Sequence, residues 1–103
     1  MQTREEMNLT KEYILNFLTE HKTELEKRFF LTKIGLFGSY AKDIADENSD
    51  IDIIIESNKK DFFVRDDLKE YLELNFHLPV DVGYLDSFRT YYKNKIEKDI
   101  IYV

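Results

Sequence analysis

The stretch SDIDIIIE, Ser49 to Glu56, limits the fold most. Side chains alternate along a strand, so three consecutive isoleucines, Ile53 to Ile55, place apolar groups on both faces. Such a β-branched run suits a central strand covered above and below. Two acids open the run. Asp50 and Asp52 lie two apart and point to one side, with Cα atoms roughly 6.6 Å apart at a rise of ~3.3 Å per residue. Ile51 between them turns the other way, into the core. The acids begin the strand, so they sit at its rim, within reach of solvent and ligand.

The rest of the chain supplies helices and partner strands. NLTKEYILNFLTEHKTELEKRF reads as one helix, with Leu9, Tyr13, Ile14, Phe17, Leu18, His21 and Leu25 on one face. Thr10, or Asn8, is its N-cap. His21 on that face reads as a core or boundary histidine. KIGLFG (Lys33 to Gly38) is short, apolar and ended by glycine, a buried strand. SYAKDIADENS is turn chemistry with one helical turn after Ser39. DFFVRDDLKEYLELNF returns to helical spacing through Val64, Leu68, Tyr71 and Leu72, capped by Asp61. Pro79 breaks that pattern, and VDVGYLD (Val80 to Asp86) reads as a third strand. SFRTYYKNKIEKD is a last helix capped by Ser87, with Phe88, Tyr92 and Ile96 on one side; IIYV ends the chain as a short strand or a docked end. The order argues for an α/β (α+β) domain with a small mixed sheet packed by helices in two or three layers.

A chain of 103 residues suits one compact domain, residues 1–103, with residues 1–7 as a disordered tail or the leader to a start at Met7. No cysteine means no disulfide framework and fits a reducing cytoplasm. No apolar run approaches the ~18 residues of a membrane span, so no membrane partner is expected. The net charge of −6 disfavours direct binding to nucleic-acid backbone, which needs clustered Lys and Arg. His77 lies beside the Pro79 turn with no second histidine at metal-site spacing. Phe62-Phe63 and Tyr91-Tyr92 each have one member that a single helical face cannot bury; the first reading is core or boundary packing, the second a partner-facing patch.

Three features carry chemistry. Ten aspartates in this length give about one D-x-D by chance, so the pair gains weight only from its place at a strand mouth. Asp81 interrupts the apolar PVDVGYL; a carboxylate within a buried strand is costly unless paired or metal-bound, and the alternative is an exposed strand face. Gly38 ends a strand and Ser39 opens a turn, where glycine lets a ligand approach and Ser39 offers two donors to phosphate oxygens. For an isolated Gly-Ser, a plain turn is the simpler reading.

Joined, these features resemble the minimal nucleotidyltransferases of the DNA polymerase beta-like superfamily. Gly38-Ser39, ten residues, then Asp50-Ile51-Asp52 is similar to that family's G-S-x10-D-x-D signature. LFGSYAK resembles its LFGS-x-A-R, SDIDIII its SDIDLLV, VDVGYLDS the strand with the third acid, and KIEKDIIYV its ending. The likeness runs from about Ile34 to Val103. Lys42 and Asp43 stand where the family usually has Arg and Gly; Lys42 keeps the charge without the bidentate fork.

The resemblance implies a nucleotidyltransferase fold and a site. Asp50, Asp52 and Asp81 would hold two Mg²⁺ ions. Gly38, Ser39 and Lys42 would hold the phosphates of ATP. It also implies AMP transfer to a hydroxyl, with pyrophosphate leaving. Almost nothing beyond the catalytic fold remains, so the acceptor would come from a second chain in a hetero-oligomer. The expected partner is a HEPN-domain ribonuclease toxin, modified on a tyrosine, with this chain as the cytoplasmic antitoxin. The alternatives are a non-catalytic antitoxin that masks its toxin, and an aminoglycoside-type small-molecule nucleotidyltransferase subunit.

Overall fold

The computed structural model of the chain describes residues 9–59 and 61–103. The Asn8 cap and the tail assigned to residues 1–7 lie outside them, as does the Phe62 side chain. Among the described residues, five helices and four strands run in the order α1 (Lys11–Glu20), α2 (Lys22–Phe29), β1 (Leu31–Phe37), α3 (Gly38–Ala41), β2 (Ile51–Ser57), α4 (Phe62–Phe76), β3 (Val80–Tyr84), α5 (Thr90–Glu97) and β4 (Ile101–Tyr102). A 3-10 turn, Leu85–Ser87, follows β3.

The sheet order is β3-β2-β1-β4. Strand β1 is antiparallel to β2 and β4, and β2 is parallel to β3, so the sheet is mixed. Strand β2 is central, as its isoleucines require. Ile51, Ile53 and Ile55 face the main core with Ile14, Leu18, Leu25, Leu68 and Leu72. Ile54 turns to the other face and joins a smaller core with Leu85 and Ile100, against which Phe88 and Ile96 pack. Burying a Leu or Ile side chain contributes roughly 1.5–3 kcal/mol, so this two-sided burial anchors β2.

Helix α1 starts as its sequence dictates: Thr10 accepts a hydrogen bond from the Tyr13 N–H at 3.1 Å. The single long helix expected there is instead two. Both the His21 N–H and its Nδ1 reach the Phe17 carbonyl, at 3.0 and 2.8 Å, and the imidazole stacks on the Phe17 ring. A side chain competing for a helical carbonyl loosens the turn, and α2 begins anew. His21 is thus the half-buried boundary histidine expected. Tyr13, placed on the apolar face by spacing, is 51% exposed.

Helix α4 is capped by Asp61, which accepts from the Phe63 N–H at 2.8 Å. It ends at His77, whose left-handed backbone (φ 58°) sends its N–H to the Glu73 carbonyl. The chain's end departs from expectation. Strand β3 stops at Tyr84, because Leu85 turns into the small core and the backbone tightens around it. Ser87 belongs to that turn and caps nothing; α5 starts at Thr90, with Arg89 at its N-cap position. Tyr92 is 55% exposed, for the short α5 meets the small core through Ile96. The docked end is a strand: β4 pairs with β1, Gly35 facing Tyr102 and Leu36 facing Ile101.

Candidate active site

Strand register assembles the site. Phe37 of β1 lies opposite Asp52 of β2, and Asp52 opposite Asp81 of β3. Asp52 and Asp81 are therefore neighbours on one rung. Both face the side of the sheet that carries Ile54, since Ile51, Val80 and Tyr84 are buried in the main core on the other side. Asp50 immediately precedes β2, on the side of Asp52. The strand ends that meet here are the end of β1 and the starts of β2 and β3.

Gly38 follows Phe37 directly and opens α3. Its φ is 75°, a left-handed value that glycine tolerates best. A Cβ there would run into Asp52 Oδ2 and stand 3.1 Å from its Cγ. The Gly-Ser turn thus lies against Asp52, and glycine is required twice, by dihedral and by space. Ser39 is half-buried, and its carbonyl accepts the Ile44 N–H at 3.0 Å, which folds the loop after α3 back on the turn.

The electrostatics follow from the register. Asp52 is half-buried while Asp50 and Asp81 are exposed. Burial first, then the charges of Asp81 and Asp50, raise the Asp52 carboxyl above the ordinary carboxylate range. Asp81 corrects the sequence argument: its strand face is open to solvent, so no burial penalty demands a partner for it.

The three acids are the donors a divalent cation would use here. A partly desolvated carboxylate beside two others is the donor chemistry that hard cations take. Among the described residues, no three Asp, Glu, His or Cys side chains are gathered into a closed metal cluster. The donor set fits; the enclosed geometry is not preformed.

Lys42 closes α3 and is exposed, with Nζ 3.9 Å from Asp99 Oδ2. Asp43 takes the left-handed backbone (φ 58°) at the position where the resembled family has glycine. Its carboxylate is bound at 2.9 Å by Lys11 of α1. Sequence reasoning did not find Lys11 or Asp99, because they lie tens of residues from the residues they pair with.

The nucleotidyltransferase domain family model matches residues 18–103. The chain belongs to the nucleotidyltransferase domain family. Among relatives of this nucleotidyltransferase, protein adenylyltransferase MntA of Thermococcus cleftensis is 36% identical over 96 residues, covering 92% of this chain and 97% of its own length. A Methanocaldococcus jannaschii relative named putative protein adenylyltransferase is 40% identical over 94 residues, covering 87% of this chain and 94% of its own. A solved toxin–antitoxin complex with AMP-PNP contains a chain that superposes with a TM-score of 0.65 at 26% identity, covering 91% of this chain and 72% of that one. The nucleotidyltransferase fold expected from the sequence is the fold observed. No helix among the described residues is long and apolar enough to cross a membrane.

Proposed function

We propose that this nucleotidyltransferase transfers AMP from ATP to a hydroxyl of a partner protein, a tyrosine of a HEPN ribonuclease toxin, and so acts as a cytoplasmic antitoxin. The observation that carries the reading is the rung Phe37–Asp52–Asp81, which sets a Gly-Ser turn and two acids side by side, with Asp50 at the strand mouth. The relatives named as protein adenylyltransferases and the AMP-PNP toxin–antitoxin neighbour support it.

In this reading Asp50, Asp52 and Asp81 would hold two Mg²⁺ ions. When bound, these ions would neutralise the triphosphate and stabilise the charge that develops at the α-phosphorus. Asp81, exposed and on the outer strand of the rung, would take the proton of the attacking hydroxyl. Gly38 and Ser39 would receive the β- and γ-phosphates, and the turn's pressure on Asp52 would fix the carboxylate against them. Lys42 would add positive charge from the end of α3. The acceptor oxygen bonds to the α-phosphorus, and the bond to the pyrophosphate oxygen breaks.

The test is intact-mass spectrometry of the co-expressed toxin, with and without ATP and Mg²⁺. A gain of one or more adenylyl groups, absent with Asp50→Asn/Asp52→Asn, is expected. A neutralised but unmodified toxin would replace this reading with the masking antitoxin.

A further inference from the structure

The chain has three glycines, and two are explained by its own packing. Gly38 needs its left-handed backbone and the space of Asp52. A Cβ on Gly35 would lie 2.6 Å from Ile100 Cγ2 and 2.9 Å from the Ile101 carbonyl, so β4 and its approach exclude any side chain there.

Gly83 has no such reason. It lies in the middle of β3, between Val82 and Tyr84, and its φ is not positive. A Cβ there would touch Ile54 Cδ1 at 3.7 Å, an ordinary contact, with no other neighbouring atom within 4 Å. Glycine within a strand gives up backbone entropy and side-chain packing, and it often marks where a ligand or another backbone comes close. Nothing in the described chain comes close, so the open space is left for something that binds.

Its place says what that is. Gly83 and Asp81 are two apart and share a face of β3. Gly83 is in register with Ile54, two rungs behind the Asp52–Asp81 pair and on the same face. Ile54 beside it is buried with Leu85 and Ile100, so the bare surface is the Gly83 backbone itself, two residues along the strand from Asp81. The run from Gly83 to Asp81, roughly 6.6 Å along the strand, is comparable to the reach of a tyrosine side chain. The Gly38–Ser39 turn approaches Asp52 from the β1 side, so phosphates enter there and the β3 side remains for the acceptor.

We infer that Gly83 is the floor of the acceptor subsite, a bare patch of strand on which an aromatic ring lies while its hydroxyl reaches Asp81. This rests on the proposed AMP transfer to a tyrosine and adds the residue of this chain that receives the ring. Phe88, half-buried on the same small core as Ile54, offers an aromatic neighbour on that face.

Gly83→Ala and Gly83→Val fill the floor by steps. The measurements are AMP transfer from ATP and Mg²⁺ to the copurified toxin, the Kd for AMP-PNP with Mg²⁺ by calorimetry, and Tm. The valine variant is expected to lose transfer on the order of 100-fold, the alanine variant less, while both keep wild-type AMP-PNP affinity and an unchanged or higher Tm. Wild-type transfer by Gly83→Val would overturn the subsite. So would parallel loss of AMP-PNP binding, which would put the nucleoside on this floor. A wild-type chain that transfers nothing in the same assay would instead overturn the reading of function, and the acceptor subsite with it.

Discussion

Gly38 and Asp52 compete for one space: a side chain on the glycine would overlap the carboxylate at the centre of the acid rung. The phosphate-side turn and the metal-side acid are therefore one packed unit, although twelve residues of other sequence lie between Gly38 and Ile51.

Gly38→Ala should accordingly fail in two ways. A non-glycine residue in the left-handed region costs about 1–2 kcal/mol, which thermal unfolding reads directly. The displaced Asp52 should lower AMP transfer on the order of 100-fold. A variant with reduced Tm but wild-type transfer would show that the Asp52 position tolerates the shift.

Asp52→Asn should abolish transfer and stabilise the metal-free fold at neutral pH. The Asp52 carboxyl is raised by burial and by its two acidic neighbours. A group whose folded value is raised lends stability that is present below its unfolded value and lost as pH rises through the folded one. At pH 7 without divalent cation its charge therefore weakens the fold. Since the group is only partly buried, the gain for the neutral amide is on the order of 0.5 kcal/mol. Tm should rise by roughly 2–4 °C in chelator at pH 7 and change little near pH 3. Mg²⁺ should raise the Tm of the wild type and not that of Asp50→Asn/Asp52→Asn.

Lys11 should matter for ATP through Asp43. The lysine is held at 2.9 Å from a carboxylate in the loop that folds back on Ser39, and its pKa is raised chiefly by that hydrogen bond. Lys11→Ala leaves a bare negative charge beside the phosphate turn and should raise KM for ATP about 2- to 5-fold, the scale of an exposed pair. Asp43→Gly suits the same backbone conformation, and the double variant should recover wild-type KM. Because the lysine value is raised, the contribution of its charge is complete below the ordinary lysine value and is lost as pH rises through the raised one. Kinetics of the four-member cycle at two salt concentrations decide the matter.

Gly35→Ala and Gly83→Ala should separate packing from binding. The first drives a Cβ into Ile100 and the β4 backbone and should cost about 1–3 kcal/mol. The second has room and should leave stability within ~0.5 kcal/mol or improve it. Equal losses of Tm would mean that β3 is packed more tightly on this face than its geometry states.

The order of most elements and the family were legible in the linear chain. The isoleucine run made β2 central, Thr10 and Asp61 marked helix starts, and the Gly-Ser and D-x-D spacing named the family. These are local signals: periodicity, capping and a motif carried in one stretch. Tertiary structure decided what depends on packing between distant residues. The split at His21 came from one carbonyl shared by backbone and ring, which helical periodicity cannot register. The turn after Tyr84 and the late start of α5 followed from Leu85 entering a second core that alternation alone does not reveal. The pairing of Asp52 with Asp81 rests on strand register, fixed by contacts across 29 residues. The room at Gly83 is visible only in the fold, where, among the described residues, an added Cβ would meet Ile54 Cδ1 of the neighbouring strand at an ordinary contact distance.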